Sequence, residues 1–84
     1  MAYRIVYKKS VQRDLKKLGK PESSQILDHI EKDLIERPES FPVLKGQFAG
    51  LRKYRVGDYR VIYVVLGEDV IILRIGNRRE VYNK

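Results

Sequence analysis

Residues 51–63 read Leu51-Arg52-Lys53-Tyr54-Arg55-Val56-Gly57-Asp58-Tyr59-Arg60-Val61-Ile62-Tyr63. Two strand-like runs flank Gly57-Asp58, a dipeptide suited to a two-residue hairpin turn. Antiparallel pairing across that turn sets Arg55 directly opposite Arg60. Like charges so placed destabilise a sheet by a few tenths of a kcal/mol, roughly, or more, which points to an anion held between them. Lys53 lies two residues before Arg55, and strand side chains alternate faces with period two. Lys53, Arg55 and Arg60 are therefore expected on one side, as a phosphate-binding group.

The hairpin extends into a third strand. Tyr59 to Leu66 contains the nearly continuous apolar run Val61-Ile62-Tyr63-Val64-Val65, which fits a central strand buried on both faces. Gly67-Glu68-Asp69 then precedes Val70 to Ile75, giving three antiparallel strands: Leu51–Val56, Tyr59–Leu66 and Val70–Ile75. The register of Arg74 stays open. A two-residue turn at Gly67-Glu68 puts it opposite Val61 and under the helices, whereas a three-residue turn puts it opposite Ile62 on the open face.

Toward the amino terminus, Tyr3, Ile5 and Tyr7 alternate with Arg4, Val6 and Lys8, the pattern of a first strand near residues 2 to 7. A helix follows, with Ser10 as a candidate cap, Val11, Leu15 and Leu18 as its apolar stripe, and Gly19 at its end. Lys9, Arg13, Lys16, Lys17 and Lys20 cover its outer side. Pro21 opens a second helix, where its missing N–H costs nothing. Ile26, Ile30 and Leu34 form the buried stripe of that helix until Arg37-Pro38 stops it. Residues 38–50, with two prolines and two glycines, read as a connecting loop with Phe41, Val43 and Leu44 against the core. The expected fold is α+β, with an N-terminal strand, a two-helix hairpin and a three-stranded antiparallel sheet. The helices cover the face of Tyr54, Val61 and Tyr63, leaving Lys53, Arg55 and Arg60 open.

Composition limits the chemistry. The 84 residues fit one domain, 1–84, which buries only about 60–65% of its unfolded surface. The absence of cysteine excludes disulfide staples and thiolate zinc sites and is compatible with a reducing cytoplasm. No apolar run approaches the roughly 20 residues of a membrane span, so no membrane role is expected. The net charge of +7 is clustered: +6 over residues 1–20, −4 over 21–43, +4 over 44–60, −2 over 61–73 and +3 over 74–84. Such clustering suits a polyanion, most often nucleic acid. His29 lies mid-helix without metal-ligand neighbours, and no phosphate-binding glycine loop, nucleophile elbow or carboxylate pair occurs.

Together with Arg74-Ile75-Gly76-Asn77-Arg78-Arg79-Glu80-Val81-Tyr82 and the element order, residues 51–63 resemble the RelE/ParE toxin superfamily of toxin–antitoxin systems, specifically its RelE branch. The resemblance covers nearly the whole chain. It implies a RelE-like, microbial-RNase-like domain acting as a metal-free messenger-RNA endonuclease in the ribosomal A site, in contact with ribosomal RNA. It also implies neutralisation by a cognate RelB-like antitoxin and no cofactor.

The residues this implies for catalysis are Lys53, Arg60, Arg78 and Tyr82, with Arg52 and Arg55 on the substrate phosphates. Arg60 is the expected transition-state clamp, since a guanidinium fork can bind two phosphate oxygens at once. Lys53 serves as charge partner or general base. Arg78 stabilises charge or donates a proton to the leaving oxygen, and Tyr82 orients or stacks on the substrate. Many relatives carry histidine where this chain has Asn77, which removes the usual titrating group near neutral pH. Two other classes share the fold: a ParE-like inhibitor of DNA gyrase, and an RNA-binding module with weak or no catalysis. Lys53 and Arg55 also admit a solvated-edge reading, in which lysine discourages edge-to-edge aggregation. Arg60, at the start of a buried strand, fits that reading least.

Overall fold

The hairpin at residues 51–63 forms as its sequence implies. In the computed structural model, which describes residues 3–44 and 50–77, β2 (Arg52–Val56) and β3 (Tyr59–Leu66) pair antiparallel with Val56 opposite Tyr59 and Arg55 opposite Arg60. Gly57 turns the chain at φ 59°, and Gly67 does the same at φ 62° in the next hairpin. No described non-glycine residue has positive φ, so each turn places its left-handed residue first, the type II′ pattern whose twist matches paired strands.

β4 (Asp69–Asn77) pairs antiparallel with β3, starting with Leu66 opposite Asp69. The register shifts by one residue at Ile62/Tyr63: Tyr63 faces Ile72, whereas Ile62 faces Arg74. The turn is thus the two-residue one, and Arg74 nonetheless reaches the position opposite Ile62 because Leu73 is the extra residue of a β-bulge. β1 (Arg4–Tyr7) runs parallel to β4, with Arg4 opposite Asp69 and Tyr7 opposite Ile72. The N-terminal strand therefore joins the three antiparallel strands in one mixed sheet of order β1-β4-β3-β2.

β1 ends opposite Ile72, which leaves the edge of β4 unaccompanied from Leu73 onward. α1 (Lys9–Leu18) lies along that edge. The Ser10 hydroxyl donates to the Leu73 carbonyl at 2.9 Å, and the Ile75 N–H donates to the Asp14 carboxylate at 2.9 Å. Ser10 and Asp14 are four residues apart and share one helix face, so two side chains supply what a neighbouring strand would have supplied. Ser10 is accordingly no cap. The cap position is Lys8, and Ser10 sits inside the helix.

α2 (Lys20–His29) starts directly after Gly19 and continues into a single π-helical turn, Ile30–Leu34. The widened turn falls where Tyr54 reaches in from β2. Its hydroxyl meets the His29 carbonyl at 3.3 Å and the Asp33 carboxylate, and insertion of a side chain is a recognised cause of departure from the α ladder. The helices cover one sheet face, where Val11, Ile26, Ile30 and Leu34 pack on Tyr54, Val61, Tyr63, Val70, Ile72 and Ile75. Tyr63 is fully buried, and its hydroxyl donates to the Pro38 carbonyl at 2.6 Å, tying the end of the helical segment to the central strand. No described helix is long and apolar enough to cross a membrane.

Candidate functional site

The face away from the helices carries the cations. Val56–Tyr59 closes a two-residue hairpin, so Arg55–Arg60 is the next pair, the non-hydrogen-bonded kind in which side chains stand closest. Lys53 lies opposite Ile62, two residues from Arg55 along β2 and on the same face. With Phe41, Pro42 and Tyr54, these three line an open recess of about 340 Å³. Among the described residues, its lining includes three cations and no carboxylate.

Lys53 and Arg60 are half-buried, and Arg55 is exposed. The Arg55 Nε donates to the Gly57 carbonyl at 3.0 Å, which holds its guanidinium over the turn and leaves its other N–H groups for a ligand. On the far side of Arg60 the paired residue is Gly76.

The wall beside β2 is made by a short return of the chain. Val43 forms a β-bridge with Arg52, flanked by Leu44 N–H to Leu51 O at 2.7 Å and Lys53 N–H to Pro42 O at 3.1 Å. Proline has no N–H to return to Lys53, so a single bond joins that pair. Phe41 packs edge-on against Tyr54, with ring centroids 4.9 Å apart at 67°. Phe41 thus belongs both to the core and to the recess. Val43, expected against the core, is instead 48% exposed, at the outer edge of β2 where it bridges Arg52.

Arg52 does not join the phosphate group. It lies opposite Tyr63, on the helix-bearing face, and its Nη1 donates to the carbonyls of Phe41 at 2.7 Å and Glu39 at 3.3 Å. Its guanidinium is engaged in holding the loop, so the expectation of substrate contact is corrected to a tether for the recess wall. Arg74 is also committed, pairing with Asp14 through Nε at 3.0 Å and Nη2 at 3.3 Å. Asn77 ends β4 opposite Tyr59. Arg78 and Tyr82 lie outside the described residues. His29 is exposed on α2, and among the described residues no His, Cys, Asp and Glu side chains group as a metal ion requires.

Two features escaped the sequence reading. Asp14 is the lone acid among residues 1–20 and stands on the apolar stripe of Val11, Leu15 and Leu18. A charge in such a stripe is the signal of a buried partner. Pro42 at the recess carried no comparable signal, since its place depends on the loop pairing back onto β2.

Tyrosines dominate the titration behaviour of the helix-bearing side. Burial pushes the Tyr63 phenol up to about 12, with Arg52 acting weakly in the opposite sense. Burial, with Glu31 adding to it, pushes Tyr7 up to about 12. Tyr54 is raised by burial and by its bond to Asp33.

A four-stranded mixed sheet backed by two helices is a fold this chain shares with small toxins. The chain belongs to the family of ParE toxins of type II toxin–antitoxin systems, whose shared pattern matches residues 5–82. Among solved structures, the toxin–antitoxin complex RelBE2 of Mycobacterium tuberculosis is similar at 27% identity, covering 93% of this chain and 100% of that chain with a TM-score of 0.85. A copper-bound mutant toxin of Helicobacter pylori is also similar at 27% identity, with 95% and 99% coverage and a TM-score of 0.76. A mutant of Escherichia coli RelE in the free state shares the fold, at 22% identity, 95% and 87% coverage and a TM-score of 0.76. No curated protein matches the chain. The chain is a RelE-like member of the RelE/ParE superfamily, a toxin of a type II toxin–antitoxin system whose partner is an antitoxin.

Proposed function

We propose that this toxin is a metal-free endoribonuclease that cuts messenger RNA in the ribosomal A site of the cytoplasm, held in check by a RelB-like antitoxin. The observation that carries the reading is Arg55 facing Arg60, with Lys53 on the same face of one open recess. Opposing two arginines gains a sheet nothing, whereas a phosphodiester between them can be held by both.

The reaction that uses such a site is attack of a ribose 2′-oxygen on the adjacent phosphorus. The P–O5′ bond breaks, leaving a 2′,3′-cyclic phosphate and a 5′-hydroxyl. Negative charge builds on the non-bridging oxygens in the transition state, where prearranged cations act most strongly. Arg60 is the clamp, because its planar fork matches two phosphate oxygens. Arg55 steadies the neighbouring phosphate. Lys53 is the member of the trio that can exchange a proton, since guanidinium is a poor acid. Arg78 and Tyr82 complete the site by resemblance, as charge stabiliser and substrate-orienting ring. Asn77 supplies no titrating group, which is consistent with a toxin that relies on ribosomal RNA to position its substrate.

Arg60→Ala tests the assignment. Loss of one such donor lowers turnover by about 100- to 1,000-fold, so transcript cleavage in a ribosome-containing extract should all but vanish while circular dichroism and ribosome co-sedimentation persist. Cleavage at the wild-type rate sinks it. The family's ParE name keeps gyrase inhibition as a second reading, favoured if the toxin abolishes DNA supercoiling and leaves RNA intact.

A further inference from the structure

The β-bulge at Leu73 changes the side of the sheet on which Arg74 stands. With regular pairing from Leu66–Asp69 onward, Arg74 would lie opposite Val61, which is fully buried under the helices. The extra residue moves Arg74 on by one position, opposite Ile62 and into the row of Lys53. Bulges are frequent beside active sites, where they re-aim a side chain. The side chain re-aimed here is a cation, and the face it reaches is the one that carries Lys53, Arg55 and Arg60.

Stability gives little reason for an arginine at this place. The Asp14 carboxylate accepts from the Ile75 N–H, a task that calls for no cation. The Arg74 side chain is 44% exposed, and an ion pair so open to solvent is worth little. Nε and Nη2 donate to Asp14, whereas Nη1 has no acceptor among the described residues. Asp14 thus fixes one edge of the guanidinium and leaves the remaining nitrogen, with two N–H groups, for a ligand. Arg60 faces Gly76, and Arg74 precedes Gly76 by two, so Arg60 and Arg74 are diagonal neighbours on one face. Such neighbours lie about 7–8 Å apart, within reach of long side chains. Arg55 stands on the β2 side of Arg60 and Arg74 on its β4 side. The three arginines cross the sheet in succession, which suits consecutive phosphates of one strand better than a single anion.

We propose that Arg74 is a further phosphate-binding residue, which holds the phosphodiester flanking the scissile one on the side away from Arg55. The assignment rests on the RNA-cleavage reading given above, in which Arg60 clamps the scissile phosphate and Arg55 steadies one neighbour. Arg74 adds the contact to the other neighbour and fixes the path of the strand from β2 to β4. It lies away from the bond that breaks, so it serves binding and not the chemical step.

Arg74→Gln removes the charge and keeps a hydrogen-bonding side chain. For messenger cleavage on programmed ribosomes, its KM should rise about tenfold, the low end of what a hydrogen bond to a charged group supplies, with kcat unchanged. The slope of log KM against log salt should fall by about 1. Messengers carrying one uncharged methylphosphonate linkage, immediately 5′ or immediately 3′ of the cut, locate the contact. One of the two should impose the same penalty on the unaltered toxin and none further on Arg74→Gln. A KM and a salt slope equal to those of wild type overturn the proposal. A penalty that adds in full to both neutral linkages overturns it too, and assigns Arg74 to ribosomal RNA instead. A folding defect lowers the active fraction, and with it kcat, without raising KM. Arg60→Ala separates the two levels of failure. If it abolishes cutting while Arg74→Gln matches wild type, only the Arg74 contact falls; if Arg60→Ala cuts normally, or the unaltered toxin does not cut, the RNA site and this contact fall together.

Discussion

Removing the Asp14 carboxylate should destabilise this protein more than its single visible ion pair suggests. Asp14 is 8% exposed and accepts three bonds: from Arg74 Nε at 3.0 Å, Arg74 Nη2 at 3.3 Å and Ile75 N–H at 2.9 Å. The Arg74 side chain is 44% exposed, so the ionic part is screened and contributes roughly 0–1 kcal/mol. The Ile75 N–H is different. It is buried at a strand edge that no other described strand covers, and leaving it unpaired costs about 1–3 kcal/mol. Asp14→Ala should therefore cost about 1–4 kcal/mol, against a total stability of roughly 4–13 kcal/mol for a chain of this size.

Chemical denaturation of Asp14→Ala, Asp14→Asn, Arg74→Ala and the double variant separates the two contributions. Asparagine keeps an oxygen that can accept from Ile75, so Asp14→Asn should recover about 1 kcal/mol or more of the loss. Arg74→Ala should cost no more than about 1 kcal/mol, with a coupling of similar size to Asp14. If Arg74→Ala costs as much as Asp14→Ala, the carboxylate matters as an ion and the strand-edge account is wrong. A loss in Asp14→Ala below about 0.5 kcal/mol, the range of ordinary surface changes, would also refute it.

Gly57→Ala places a Cβ at φ 59° with no atom within 4 Å of it, so the cost is conformational alone, about 1–2 kcal/mol; a denaturation midpoint equal to wild type would contradict the II′ turn. The three raised tyrosines predict alkaline loss of stability. Tyr7 and Tyr63 are pushed up to about 12, and Tyr54 is raised as well, whereas an unfolded tyrosine ionises near 10. Above about pH 10 the unfolded chain thus binds fewer protons than the folded one, and stability falls by up to about 1.4 kcal/mol per pH unit for each such tyrosine until the folded groups ionise. Urea midpoints measured upward from about pH 9, with tyrosinate absorbance appearing together with unfolding, check this; an unchanged midpoint through about pH 11 contradicts it.

The elements with one dominant pattern were legible in the sequence. Val61-Ile62-Tyr63 are all buried as a central strand should be, and the Gly57-Asp58 turn fixed the Arg55–Arg60 pairing. Failures came where two patterns competed. Arg52 alternates with Lys53 and so belongs to the Tyr63 side by period two alone, yet its charge invited assignment to the anion site. The register of Arg74 was undetermined because Val70-Ile71-Ile72-Leu73 is apolar throughout and has no alternation to betray a slip. The bulge at Leu73 accompanies contacts with Ser10 and Asp14, 63 and 60 residues away in the chain. Turn chemistry at Gly67 carries no trace of them.

The Arg55–Arg60 pair gives the functional reading a stability consequence that needs no RNA. At about 5 Å two unit charges repel by roughly 0.8 kcal/mol in water and about 3 kcal/mol at an effective dielectric of 20. Long side chains splay to reduce this, which leaves a few tenths of a kcal/mol, roughly, to be relieved. Arg55 is exposed, and its side-chain bond to the Gly57 carbonyl is a solvent-exposed contact within the turn, so little is lost with its guanidinium. Arg55→Thr, which substitutes a residue favoured in strands, should therefore stabilise the free toxin at low salt while weakening RNA cleavage. The gain should shrink as ionic strength rises and screening removes the repulsion. A structural arginine behaves in the opposite way. If Arg55→Thr destabilises the fold at low salt, or if its gain does not depend on salt, the pair is held by the architecture and not by a ligand, and the anion site loses its physical basis.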